Sequence, residues 1–109
     1  MINEIKKYLA DNMGIDDAET LCLLIEQFSE AVNSNLTALQ QAPESDFAAM
    51  HQYAHTIKGC AGNVGLEELR QAAMRVDVAA KNSDLPGVRE NMPDLQRLVM
   101  KFNQEFSTR

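Results

Sequence analysis

Two histidines and a lysine lie close together in the middle of the chain, at spacings typical of one helix face. His51, His55 and Lys58 are separated by four and then three residues, and Gly59 and Gly62 follow. At about 100° per residue, these positions cluster roughly 120° away from the apolar positions of the same segment. The pattern predicts a partly exposed face with two imidazoles, a cation and little bulk around them.

These residue types suit the transfer of a phosphoryl group. An imidazole is substantially neutral near pH 7, so its bare ring nitrogen can attack phosphorus. Lys58, one turn after His55, can neutralise phosphate oxygens as a point charge. Helical side chains lean toward the N-terminus, so a large residue at position 59 would cover the His55 ring. Gly59 leaves that ring open, at a cost of about 1 kcal/mol of helix stability.

The two histidines also allow less specific interpretations. Three interpretations of His51 stay open: a plain surface residue, part of the rim of a docking surface, or a residue that shifts the pKa of its neighbours. The i, i+4 spacing of His51 and His55 fits a zinc or copper site. Lys58 would repel a cation, however, and Cys60 falls about 140° from His55 by the helical count. We therefore predict no metal site. Gly62 is either an opening in this face or a close-packing position.

The elements that must position this face are predicted to be helical throughout. A short first helix over about 3–11 precedes a bundle over about 16–106. We predict an all-α, up-down antiparallel four-helix bundle with the short helix covering one end. Its four apolar stripes have spacings of three and four residues. They comprise Leu21, Ile25, Phe28, Val32, Leu36 and Leu39; Phe47, Met50, Ala54, Ile57, Ala61 and Val64; Leu66, Leu69, Ala73, Val76 and Ala80; and Val88, Met92, Leu95, Val99, Phe102 and Phe106.

Several residues indicate where these helices begin and end. Asp16, with Glu19 completing a capping-box-like pair, is expected to begin the second helix. Pro43 ends that helix, and Gly65 is expected just past the end of the third. Pro93 lies inside the last apolar stripe, so a kink or a late start is expected there.

Composition excludes several classes of function. The 109 residues carry a formal net charge of −6, which argues against nucleic acid and anionic membranes as partners. No apolar run approaches the ~20 residues of a membrane span, and no signal-peptide core is visible. Cys22 and Cys60 form no CxxC pair, so reduced thiols and a cytoplasmic location are expected. Without a nucleotide-binding glycine loop, no kinase activity of its own is expected.

The stretch from 55 to 65 resembles the motif H-x-x-K-G-x-x-x-x-x-G of the histidine-containing phosphotransfer (HPt) family. Leu24 and Phe28 are similar to the L-x-x-x-F pattern of that family's preceding helix. The run 83–86 and the last helix look most like the HPt domain of hybrid sensor kinases of the anoxic-redox-control type. The resemblance covers nearly the whole chain beyond residue 15.

The resemblance implies a role for each motif residue. It implies that His55 accepts a phosphoryl group through Nε2 and that Lys58 stabilises the phosphohistidine. It also implies that Gly59 gives access and that Gly65 ends the helix. Several family members have a glutamine on the following helix, where this chain has Asp77. An aspartate there could orient the imidazole through Nδ1–H, but it would repel a phosphate.

The resemblance also implies partners, which are receiver domains of response regulators and of a hybrid sensor kinase. Magnesium is expected in the receiver only, with no cofactor on this chain. We expect one domain over 1–109, a monomer, and a free-standing protein rather than the tail of a kinase. Leu23 points away from the stripe of its own helix and is either an isolated exposed leucine or part of a docking patch. The alternative function is an HPt-like interaction module whose histidine is idle.

Overall fold

The computed structural model describes residues 1–108, and its regular structure is helical. The helices are α1 (Ile2–Met13), α2 (Ala18–Gln41), α3 (Phe47–Asn63), α4 (Glu67–Lys81) and α5 (Leu85–Ser107). No strand occurs within residues 1–108, so the predicted all-α class is confirmed. In the same part of the chain, no helix combines the length and the apolar character that crossing a membrane requires.

The four long helices enclose the core. α3 packs against α2 and α4, α4 packs against α5, and α2 also contacts α5. Most residues of the four predicted stripes are buried, whereas Phe47, Met92 and Phe106 are partly buried at the edges of the core. The stripes bury well because spacings of three and four residues keep apolar side chains on one side of each helix.

The contact between α2 and α5 combines an aromatic pair with a polar pair. Phe28 and Phe102 meet edge to face, with ring centroids 5.0 Å apart. Beside them, the side-chain amides of Asn33 and Asn103 donate to each other at 2.9 and 2.8 Å. The amides satisfy each other's hydrogen-bonding capacity in a partly buried position, which fixes how the two helices face one another.

Helix α1 is held at the end of α5 and against the turn that follows α3. The amino group of Met1 donates to Glu105 Oε1 at 2.9 Å, and Tyr8 packs over Gly65. Ile5 and Leu9 are fully buried among the other helices. α1 runs two residues beyond its predicted end because Gly14, with φ 67°, supplies the left-handed turn that ends it.

Three aspartates begin three of the four long helices by accepting backbone N–H groups. Asp17 caps α2 through Thr20, Asp46 caps α3 through Ala49, and Asp84 caps α5 through Gly87. The prediction of Asp16 as the cap of α2 was therefore wrong by one residue. Asp17 is the residue with extended backbone, with φ −77° and ψ 139°.

Helix α5 runs from Leu85 through Pro93 without a break. The predicted late start of this helix was therefore wrong. Pro93 lies on the exposed side of the helix. A proline in a helix removes one backbone hydrogen bond, and at an exposed position water can satisfy the carbonyl group that loses its partner.

Candidate functional site

Helix α3 presents its polar face outward, while its apolar face packs in the core. Met50, Ala54, Ile57 and Ala61 are buried on one side. On the other side, the side chains of His51, His55 and Lys58 are 38%, 60% and 30% exposed. The structure thus places the three predicted site residues on one accessible surface, with His55 the most open of them.

A carboxylate from the next helix lies beneath these residues. Asp77, on the buried side of α4, is only 5% exposed and is the one buried charged residue among those described. Its Oδ1 contacts Nδ1 of His51, and its Oδ2 lies 3.3 Å from Nδ1 of His55. Nζ of Lys58 is 3.9 Å from the same Oδ2. We call His51, His55, Lys58 and Asp77 the Asp77 cluster.

The contacts within this cluster indicate which ring nitrogens are occupied. A carboxylate accepts hydrogen bonds, so each histidine that is neutral carries its proton on Nδ1, where it faces Asp77. The Nε2 atom of that ring then holds a lone pair. The two rings are neighbours, with centroids 5.6 Å apart and planes tilted by 40°.

The three motif glycines differ in what surrounds them. A Cβ on Gly59 would meet nothing within 4 Å, so the surface beside His55 is open at that point. A Cβ on Gly62 would lie 3.5 Å from Cδ of Arg70, which is an ordinary contact with a flexible side chain. The structure therefore makes Gly62 neither a tight packing position nor fully open space.

Gly65 is required by the backbone. Its φ is +74°, and a Cβ there would lie 2.4 Å from the ring of Tyr8. α3 ends with Val64 as its C-cap, and the N–H groups of Gly65 and Leu66 donate to the carbonyls of Gly62 and Ala61 at 3.3 and 3.0 Å. This is the Schellman arrangement, in which a glycine follows the cap in the left-handed conformation.

An arginine and a glutamate at the start of α4 form an ion pair near Gly62. Arg70 donates from Nε and Nη2 to the two carboxylate oxygens of Glu67, at 2.8 and 2.6 Å. The hydrogen bonds from Arg70 lower the pKa of Glu67 to about 2. The pair therefore stays charged over the physiological range.

The remaining residues singled out in the sequence are Leu23 and the two cysteines. Leu23 is 53% exposed on α2, and its docking role stays a prediction. Neither Cys22 nor Cys60 forms a disulfide within residues 1–108, and burial raises the pKa of the Cys60 thiol. Within residues 1–108, no group of three or more histidine, cysteine, aspartate or glutamate side chains is arranged to hold a metal ion.

The sequence placed Asp77 near His55, but it did not indicate the contact between Asp77 and His51. The position of Asp77 within α4 does indicate that it needs a partner on another helix. Asp77 lies four residues after Ala73 and three before Ala80, two residues of the apolar stripe of α4, so a charge there needs a partner on a neighbouring helix. The i, i+4 pair on α3 offers two such partners, and which of them is closer depends on how α3 and α4 pack.

Comparison with known protein families matches residues 23–105 to the Hpt domain. The matched segment contains α3, α4, the whole Asp77 cluster and most of α2 and α5. Searches of curated proteins and of solved structures gave no significant match.

Proposed function

Because the chain belongs to the Hpt domain family, we propose that it carries a phosphoryl group on His55 between receiver domains. Membership of this family implies a histidine phosphotransfer role in a phosphorelay. The choice of His55 rests on one observation above all. Its side chain is 60% exposed, while its Nδ1 faces a buried carboxylate 3.3 Å away. The nitrogen available to a partner is therefore Nε2.

The proposed transfer is a displacement at phosphorus. The Nε2 lone pair of His55 attacks the phosphorus of a receiver's phosphoaspartate, and an Nε2–P bond forms. The P–O bond to that aspartate breaks, and its electron pair leaves with the aspartate carboxylate. The imidazole keeps its Nδ1 proton and gains positive charge, which Asp77 offsets from the opposite side of the ring. The reverse reaction returns the group to a second receiver.

Lys58 and Asp77 act on the phosphoryl group with opposite signs. The phosphoryl oxygens bring negative charge toward α3, and Lys58 on the same surface attracts them. Asp77 repels them, but it lies behind the ring, is only 5% exposed and is itself paired with Lys58 and His51. We propose that the carboxylate serves to orient His55 and that the lysine neutralises the incoming charge.

The finer features of this assignment are proposals as well. We propose that the partners are receiver domains of response regulators and of a hybrid sensor kinase, as in the anoxic-redox-control type. The receiver would supply magnesium, and this chain would need no cofactor and have no kinase activity. The receiver partners are the basis for the proposed cytoplasmic location. The short connections between consecutive helices support an up-down antiparallel bundle within one domain. We also propose that the protein acts as a monomer.

The direct test is to mix the protein with a receiver domain that carries a radioactive phosphoryl group. Wild-type protein should take up acid-labile, base-stable label. His55→Gln should remain folded, because the side chain is exposed, and should take up none. His51→Gln is the matched control on the same face and should be labelled. Label on the His55→Gln variant would refute the assignment, and an unlabelled wild type with every receiver tested would favour an interaction module.

A further inference from the structure

The two histidines of the site share one carboxylate, and this sharing gives His51 a function. We propose that His51 is a positioning residue for phosphoryl transfer. Its Nδ1 holds Asp77 in place, and Asp77 in turn holds the His55 ring in the Nδ1–H tautomer that presents Nε2. The inference rests on the proposed function, since the ring being positioned is the proposed phosphoryl acceptor.

The geometry makes His51 the anchor of Asp77. The contact of Oδ1 with His51 is the closest in the cluster. By comparison, Oδ2 is 3.3 Å from His55, near the long limit for a hydrogen bond, and 3.9 Å from Lys58. The carboxylate group is planar and rigid, so fixing Oδ1 determines where Oδ2 points. The looser contact with His55 therefore depends on the tighter contact with His51.

Burial strengthens this dependence. Asp77 is 5% exposed, and its immediate helix neighbours Ala73, Val76 and Ala80 are buried as well. In the part of the chain that the structure describes, every hydrogen-bond and ion-pair partner of the Asp77 side chain belongs to α3. A buried carboxylate that loses a partner must reorient toward another donor or admit water. Removing His51 therefore changes what Asp77 offers to His55.

The tautomer of His55 decides whether the ring can react. With the proton on Nδ1, the Nε2 lone pair is free to attack phosphorus. With the proton on Nε2, the position that must bond to phosphorus is blocked. Asp77 favours the reactive form by accepting from Nδ1, and His51 limits the negative charge that Asp77 presents by donating to its other oxygen.

The first measurement uses the unphosphorylated protein, so it does not depend on the proposed function. Ring ¹⁵N chemical shifts should show His55 protonated at Nδ1 and bare at Nε2 in the wild type. In His51→Ala the shifts should move toward a mixture of the two tautomers. His51→Asn keeps an N–H donor at the position of Nδ1 and should restore the wild-type shifts. A wild-type His55 protonated mainly at Nε2 would overturn the proposal without any variant.

The second measurement follows transfer from a phosphorylated receiver. His51→Ala should slow transfer on the order of tenfold, the effect expected from one lost hydrogen bond to a charged group, and His51→Asn should recover most of the rate. In an Asp77→Asn background, His51→Ala should have no further effect, because its influence passes through the carboxylate. Unchanged shifts in a folded His51→Ala variant, or effects of the two substitutions that simply add, would overturn the proposal. A wild type that takes up no label would instead count against the proposed function, while the tautomer measurement would still decide the positioning.

Discussion

Replacing Gly59 should separate stability from function, because this glycine lies in a helix interior with open space around it. A Cβ at position 59 would meet nothing within 4 Å. Gly59→Ala should therefore stabilise the protein by about 1 kcal/mol, the difference in helix propensity between the two residues. For a domain of this size the gain corresponds to a rise in Tm of about 4 °C. Gly59→Gln should gain slightly less, since glutamine ranks just below alanine as a helix former.

Phosphotransfer by Gly59→Gln should change in the opposite direction. The glutamine side chain would lean toward the N-terminus and lie over the His55 ring one turn earlier. It would obstruct the in-line approach of the receiver's phosphoaspartate, and we expect transfer to slow on the order of a hundredfold. The methyl group of Gly59→Ala is too short to reach the ring, so this variant should transfer at close to the wild-type rate.

The assay pairs thermal unfolding, followed by circular dichroism, with the rate of label transfer from a phosphorylated receiver. Gly65→Ala is the matched control within the same motif. It forces a side chain into φ +74° and against Tyr8, so it should destabilise by about 1–3 kcal/mol or more. Unfolding of Gly59→Gln would mean that the glycine serves helix packing. A normal transfer rate in a folded Gly59→Gln would refute the access argument.

Two further predictions concern charged residues. Lys58→Ala should remain folded because the residue lies off the core, yet it should shorten the lifetime of the phosphohistidine or slow its formation. Lys58→Arg keeps the charge as a control, and an unchanged lifetime and rate in Lys58→Ala would remove Lys58 as a phosphate partner. Arg70→Ala should return the pKa of Glu67 from about 2 toward 4.5, measured by a ¹³C titration of its carboxyl group. Because folding depresses this pKa, the Glu67 contribution to stability is fully present above about pH 4.5 and is lost as the pH falls toward 2. An unmoved Glu67 titration would show that Arg70 is not the cause.

The apolar periodicity predicted the helices of this chain well. The residues that a helix buries recur every three or four positions, and the apolar residues of this sequence have that spacing. Val32 and Ile57, for example, are fully buried as their stripes require. Local choices between near-equivalent residues were harder to predict. Asp16 and Asp17 are both good caps, and only the backbone conformation decides between them. Pro93 predicted a disturbance of α5, but it lies on the solvent side, where the lost backbone bond has little consequence for the core.

The residues of the candidate site could be predicted from the sequence, but the contacts between them could not. Helical angles alone place His51, His55 and Lys58 on one face. They do not reveal that Asp77 faces His51 more closely than His55, because that preference arises from the packing of α3 on α4. A pattern within one helix carries no information about such distances, so the role proposed for His51 could be inferred only from the packing of both helices.

The order of the helix contacts has a consequence for how the chain folds. α2, α3 and α4 each pack on the next helix along the chain, so most of the bundle can form by local pairing at a low cost in loop-closure entropy. The contact of α2 with α5 is the exception, since Asn33 and Asn103 are 70 residues apart. This contact brings the first and last helices of the bundle together and so closes the bundle. It would form late during folding, and it is where two chains could exchange a terminal helix if closure were delayed.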